Sequence, residues 1–199
     1  MLVKICGLSS EEHVRAAVAA GADAVGFVFA ESARRIEPAQ AAIIARAVPG
    51  AVKKVAVMLH PTNDEWQEVL RGFSPDVLQT DAEDFEGLDI PGSIECWPVY
   101  REGVRVTVPK DRVTVPFLYE GKRSGVGETV DWAKAAQVAA QGKMILAGGI
   151  SPANVAEAVA LVRPYGVDVS SAVESAPGQK DPGLIREFVS AARAAEKEL

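Results

Sequence analysis

The chain has 199 residues, 48% hydrophobic and 24% charged, with a net charge of -6 and a pI of about 5.1. Such a balance fits one soluble globular domain over 1–199 and argues against a nucleic-acid binder, because the 21 basic residues are scattered rather than clustered. A small anionic substrate stays compatible with it, since backbone N–H groups at a helix start can hold a phosphate.

Residues 1–7 lack a basic region followed by a long apolar one, and no stretch is long and apolar enough to span a bilayer. Neither a secretory signal nor membrane insertion is therefore expected. Cys6 and Cys96 give no disulfide framework or zinc spacing, and His13 and His60 are too isolated for a metal cluster. A reducing, cytoplasmic setting and a site without metal are expected.

Taken in chain order, strands are predicted at 3–6, 24–29, 54–58, 76–79, 94–100, 115–119, 144–147 and 167–170. Each is a short, nearly continuous apolar run, which is how strands buried on both faces of a parallel sheet read. Helices begin at Ser9-Ser10-Glu11-Glu12, Glu37-Pro38, Pro61-Thr62-Asn63-Asp64 and Ser151-Pro152, where capping side chains or a first-turn proline stand before apolar periodicity. The first of these helices would turn His13 to solvent. An amphipathic helix closes the chain over 184–199. The fourth and fifth crossovers are weak: 83–88 is short, and the segment after Tyr100 carries Gly103, Pro109 and Pro116 but no helix signal.

Eight strands alternating with crossovers predict an α/β fold with a parallel sheet, a trimmed (β/α)8 TIM barrel with degraded fourth and fifth helices. The competing architecture is an open doubly wound sheet, which the absence of a glycine fingerprint after the first strand disfavours. The glycine-rich segment 121–127 reads as a loop inside the sixth unit.

In such a barrel, chemistry sits where strands end and the following loops begin. Cys6 ends the first strand before Gly7, where position alone favours a small buried apolar residue, as most free cysteines are, over a reactive thiol. Gly148-Gly149 leaves the seventh strand and Ser170-Ser171 the eighth, the two loops that often build a phosphate site. Asp131 stands at a helix start, where a carboxylate offsets the helix dipole, and Arg34 and Arg35 lie on the second loop, where a guanidinium fork can grip a carboxylate. His60 ends the third strand before Pro61, a place that suits a structural role better than one in the site it would border.

These segments resemble the phosphoribosylanthranilate isomerase family along nearly the whole chain. The likeness is carried by Lys4-Ile5-Cys6-Gly7, Gly21-Ala22-Asp23-Ala24-Val25-Gly26-Phe27-Val28-Phe29, Ser32-Ala33-Arg34-Arg35-Ile36, Gly127-Glu128-Thr129-Val130-Asp131-Trp132, Ala147-Gly148-Gly149-Ile150 and Val167-Asp168-Val169-Ser170-Ser171. The resemblance implies a cofactor-free Amadori rearrangement of a small phosphorylated substrate, N-(5-phosphoribosyl)anthranilate. Both a monomer and a homodimer are compatible with the sequence. It implies Asp131 as general acid, Cys6 as general base, Arg34 as the holder of the anthranilate carboxylate, and Gly148, Gly149, Ser170 and Ser171 as the phosphate loops. A thiol serving as base is expected to need a lowered pKa. The sequence departs from the family where the fourth strand ends Gln79-Thr80-Asp81-Ala82 instead of Gln-Leu-His-Gly, where Glu120 stands for an aspartate, and where Ala172 replaces a glycine. Another phosphosugar isomerase or epimerase on this barrel, or a barrel that only senses a phosphorylated metabolite, is the alternative; the sensor would not need both Cys6 and Asp131.

Overall fold

The eight apolar runs become eight parallel strands whose hydrogen bonds close in chain order, β1 pairing with both β2 and β8. Closure excludes the open sheet. The computed structural model describes residues 1–103, 106, 114–122 and 129–199. Its barrel strands are β1 (Leu2–Cys6), β2 (Ala24–Val28), β3 (Lys53–Val57), β4 (Val77–Asp81), β5 (Glu95–Arg101), β6 (Phe117–Glu120), β7 (Met144–Leu146) and β8 (Gly166–Val169). They depart from the predicted runs by one or two residues at their ends. β4 gains Thr80 and Asp81, polar residues that an apolar-run criterion misses.

The helices start where the local chemistry directs. Ser10 caps α1 (Glu11–Ala20) by accepting from the His13 N–H, and the helix stops at Gly21 in the left-handed region. α2 (Pro38–Ile44) opens on its proline, and Thr62 and Glu65 form a reciprocal capping box before α3 (Asn63–Phe73). Asp131 caps α4 (Trp132–Ala139), and Asp181 caps the closing helix α6 (Pro182–Glu196).

Two expectations need correcting. α5 (Val155–Val162) starts three residues beyond Ser151-Pro152, because the Asn154 carboxamide accepts from the Ser151 N–H at 2.7 Å and folds that stretch into a turn. His13 does not face solvent; it is buried, only 7% exposed. After β4 stands only a 3₁₀ turn, Asp84–Gly87, as its short sequence suggested. The helix-poor segment after Tyr100 falls largely on 104–105 and 107–113, and the glycine-rich loop mostly on 123–128, outside the described residues.

Strand alternation divides the interior into two layers. Odd positions of β1, Val3 and Ile5, pack outward with Val25, Phe27, Leu78, Leu146 and Val167 against the helices. The other parity faces the lumen, where Ala24, Val55, Val77, Trp97, Val99, Leu118, Ile145 and Ala147 form a second apolar cluster. The lumen is thus a filled core rather than a pore. Lys4 and Cys6 share that inward parity with Leu2, as do Asp81 with Val77 and Asp168 with Gly166. At the opposite end of the barrel the Met1 ammonium pairs with Glu196 and Arg193 with Asp23 at 2.6 Å, tying the chain's ends together. No helix among the described residues is long and apolar enough to cross a membrane.

Candidate active site

A lysine inside a fully buried strand must find a partner, because an isolated charge in the core costs several kcal/mol. Lys4 is fully buried and stands in register with Asp168 on the neighbouring strand. Its ammonium donates to Asp168 Oδ1 at 2.9 Å and lies against the Cys6 thiol. Burial opposes the charge of Lys4, yet Asp168 and Cys6 outweigh it and hold its pKa above the ordinary value. Gly26, next to Cys6 on β2, leaves the space this trio needs: a Cβ there would lie 2.9 Å from the Cys6 sulfur and 3.3 Å from Lys4 Cε.

Cys6 itself is 6% exposed, one layer nearer the mouth. Burial pushes its thiol pKa up, and although Lys4 and Lys180 pull the other way, burial prevails. The expected lowering is therefore not met in the free protein. Desolvation of a thiolate is the larger effect, and the chain supplies only partial compensation.

Beyond Cys6 the backbone turns at Gly7 with φ 77°. A side chain there would strike Arg34 Cδ at 2.6 Å, so the glycine lets Arg34 cross the mouth of β1. Arg34 is only 13% exposed, and its Nε and Nη2 donate to the two carboxylate oxygens of Glu174 at 2.7 and 2.9 Å. Arg35 points the other way: half-exposed, it reaches Glu31 and Glu37 at 3.3 and 3.4 Å. Of the two arginines only Arg34 turns inward. Ser170 joins the same group, its hydroxyl donating to the Cys6 carbonyl at 3.2 Å. Lys180, 4% exposed, donates to Glu174 at 2.6 Å and to the Ser170 carbonyl at 3.0 Å. Glu174 and Lys180 come from a small hairpin after β8, β9 (Glu174–Ala176) and β10 (Gln179–Lys180).

The two predicted phosphate loops are neighbours because β7 and β8 pair, Leu146 opposite Val167. Gly148 and Gly149 both take positive φ, 82° and 66°. Among the described residues, none accepts from the backbone N–H of Gly148, Gly149 or Ser171, the condition an anion site requires. Gly149 has a second duty. A Cβ there would overlap Thr129, lying 2.6 Å from its backbone nitrogen and closer still to its hydroxyl. Thr129 is two residues before Asp131, so Gly149→Val should lower kcat by about 10²-fold as well as raise KM. Michaelis analysis of the folded variant checks this, and a change in KM alone would show that the loop yields without moving Asp131.

Asp131 lies on the rim, its side chain 44% exposed. Its Oδ1 accepts from the backbone N–H groups of Lys134 and Ala133 at 3.2 and 2.9 Å, and the Lys134 ammonium is 3.5 Å away. The bond from Lys134, then that from Ala133, holds the carboxyl below the ordinary carboxylate range. Glu102 at the end of β5 anchors Asp131 by accepting from its N–H at 3.2 Å.

Asp81 and Glu120, two of the residues that depart from the family pattern, join a network at the ends of β4 to β6. Arg101 grips Asp81 with Nη2 and Nε at 2.6 and 3.2 Å and also pairs with Glu120. His60, at φ 46°, sets its Nδ1 3.0 Å from Asp84 and its Nε2 3.6 Å from Asp81, and the bond to Asp84 raises its pKa. A cleft of about 260 Å3 between the second and third loops, lined in part by Phe29, Arg35, Met58 and His60, contains none of the predicted catalytic or binding residues.

Sequence reading missed Lys4, Asp168, Glu174 and Lys180 as parts of the site. For the first pair a signal was present: Lys4 interrupts an apolar strand two residues before Cys6, on the same face. For the second pair there was none, since the contact between Arg34 and Glu174 spans 140 residues.

A family model described as N-(5'-phosphoribosyl)anthranilate (PRA) isomerase matches residues 3–191. The N-(5'-phosphoribosyl)anthranilate isomerase of Listeria welshimeri is 38% identical over 98% of this chain and 100% of its own length. The phosphoribosyl anthranilate isomerase structure from Thermus thermophilus superposes with a TM-score of 0.82 at 31% identity, covering 98% of this chain and 99% of its own. A further isomerase structure, solved with reduced 1-(o-carboxyphenylamino)-1-deoxyribulose 5-phosphate, gives a TM-score of 0.78 at 29% identity over 98% of this chain and 100% of its own. The chain belongs to the N-(5'-phosphoribosyl)anthranilate isomerase family.

Proposed function

We propose that this protein converts N-(5'-phosphoribosyl)anthranilate to 1-(o-carboxyphenylamino)-1-deoxyribulose 5-phosphate, with Asp131 as general acid and Cys6 as general base. The observation that carries the reading is the mouth itself. A lumen-facing thiol over a buried ammonium, an inward arginine, and two glycine and serine loops with uncommitted N–H groups share one end of the barrel with a rim carboxyl. Arg34 takes the ring carboxylate, and the loops at Gly148-Gly149 and Ser170-Ser171 take the phosphate. With both ends anchored, Asp131 gives its proton to the furanose ring oxygen, the C–O bond breaks, and the nitrogen lone pair closes an iminium. The iminium acidifies the C2–H bond, Cys6 removes that proton, and the enolamine tautomerises to the ketone. Positioning and proton transfer do the chemistry. Incubating purified protein with freshly made substrate should abolish the anthranilate-type fluorescence; unchanged emission would sink the proposal.

The two pKa directions fix the pH dependence. Reaction needs Cys6 as thiolate and Asp131 as acid, whereas burial raises the first pKa and hydrogen bonds from Lys134 and Ala133 lower the second. Between those values the thiolate fraction rises tenfold per pH unit as the acid fraction falls tenfold, and their product stays constant. We therefore expect kcat/KM to be flat from about pH 5 to about pH 8, with the acidic limb set by Asp131 and the alkaline limb by Cys6. A limb inside that window that disappears in Cys6→Ser would contradict the assignment.

A further inference from the structure

Arg34 arrives at the mouth with half of its binding capacity already used. A guanidinium is planar and offers two bidentate edges, one made by Nε and Nη2 and one by Nη1 and Nη2. Glu174 occupies the first edge with both oxygens. The second has no acceptor among the described residues. Lys180 also donates to Glu174 Oε1, the oxygen that accepts from Arg34 Nε, and its ammonium bonds the Ser170 carbonyl and lies 3.3 Å from the Ser170 hydroxyl. Two cations to one carboxylate leave a net positive charge beside an unused guanidinium edge. The hairpin that carries Glu174 is clamped in place: Gly178 at its tip, with φ 78°, approaches the Ala33 carbonyl so closely that a Cβ would meet it at 2.6 Å.

Resting on the reading that Arg34 binds the ring carboxylate, we infer that Glu174, seated by Lys180, is a positioning residue that aims the outer edge of Arg34 and so makes the site selective for a carboxylated aryl amine. Glu174 acts through Arg34 and touches no substrate itself. A side chain as long as arginine samples many rotamers, and a fork locked on its inner edge removes that freedom before the ligand arrives.

The test compares two ligands by calorimetry: reduced 1-(o-carboxyphenylamino)-1-deoxyribulose 5-phosphate and its phenylamino counterpart without the carboxylate. Wild type should prefer the carboxylated ligand by about tenfold or more, the range of a hydrogen-bonded charge. Glu174→Gln should lose most of that preference and bind the other ligand nearly as before, a split that a merely structural role would not produce. In an Arg34→Ala background, Glu174→Gln should change the ratio no further. Glu174→Asp, which keeps the charge but retracts it by one methylene, should give an intermediate ratio and serves if Glu174→Gln does not fold. Full preference retained in Glu174→Gln or Glu174→Asp would overturn the inference. So would tighter binding of the carboxylated ligand by Glu174→Gln, which would make Glu174 a competitor for Arg34. No preference in wild type would instead remove the role of Arg34 on which the inference rests.

Discussion

Asp131→Asn and Cys6→Ser should each lower kcat by about 10²–10⁴-fold with smaller effects on KM, the loss typical of removing one positioned proton-transfer group. Both replacements are nearly isosteric, so the anchoring of the substrate's carboxylate and phosphate is left in place. Asparagine keeps an oxygen for the N–H groups of Ala133 and Lys134, so α4 retains its cap. Serine at position 6 keeps a small buried group between Gly26 and Lys4 but is a far weaker acid than the thiol. Circular dichroism and thermal melts establish that the variants are folded before rates are compared. A folded Asp131→Asn protein with kcat near wild type would mean that another carboxyl opens the ring.

Lys4→Met should be the most destabilising single change at the site. It leaves Asp168 buried without its 2.9 Å partner, and breaking a buried pair from one side typically costs about 3–5 kcal/mol. Urea unfolding measures that loss. The sign with pH follows from the raised pKa of Lys4: its stabilisation is complete below the unfolded value of about 10.4 and disappears as pH climbs through the folded one. The same substitution removes the cation that acts most strongly on the Cys6 thiolate, so kcat should fall as well. Pairing Lys4→Met with Asp168→Leu separates the effects, because an apolar pair restores stability without restoring the charge beside the thiol. A stable, fully active double variant would show that the buried pair has no bearing on Cys6.

The fold was legible because every strand carries its own signal. Short apolar runs such as Val25–Gly26–Phe27 and Met144–Ile145–Leu146 need no knowledge of their neighbours to read as buried strands, and Ser10, Pro38 and Thr62 mark helix starts through bonds within a few residues. What stayed hidden depends on distant partners. Asp81 can lie inside a strand only because Arg101 forks onto it from twenty residues away, and Arg101 in turn holds Glu120. His13 reads as a solvent-facing helix residue until packing buries it. Cys6, Arg34 and Asp131 were identifiable as candidates from their places at loop starts, but their electrostatics were not. The raised thiol pKa follows from tertiary burial, and the engagement of Arg34 follows from a hairpin 140 residues further on.

The division of labour between Asp131 and Cys6 is tested most directly by a primary deuterium isotope effect at C2 of the ribosyl group. Only the step assigned to Cys6 breaks that bond. In Cys6→Ser, proton removal is slowed and should limit turnover, so the isotope effect on kcat should be at least as large as in wild type. In Asp131→Asn, ring opening becomes limiting, and the effect should fall towards unity. The opposite pattern, a suppressed effect in Cys6→Ser with a full one in Asp131→Asn, would contradict the assignment of base and acid.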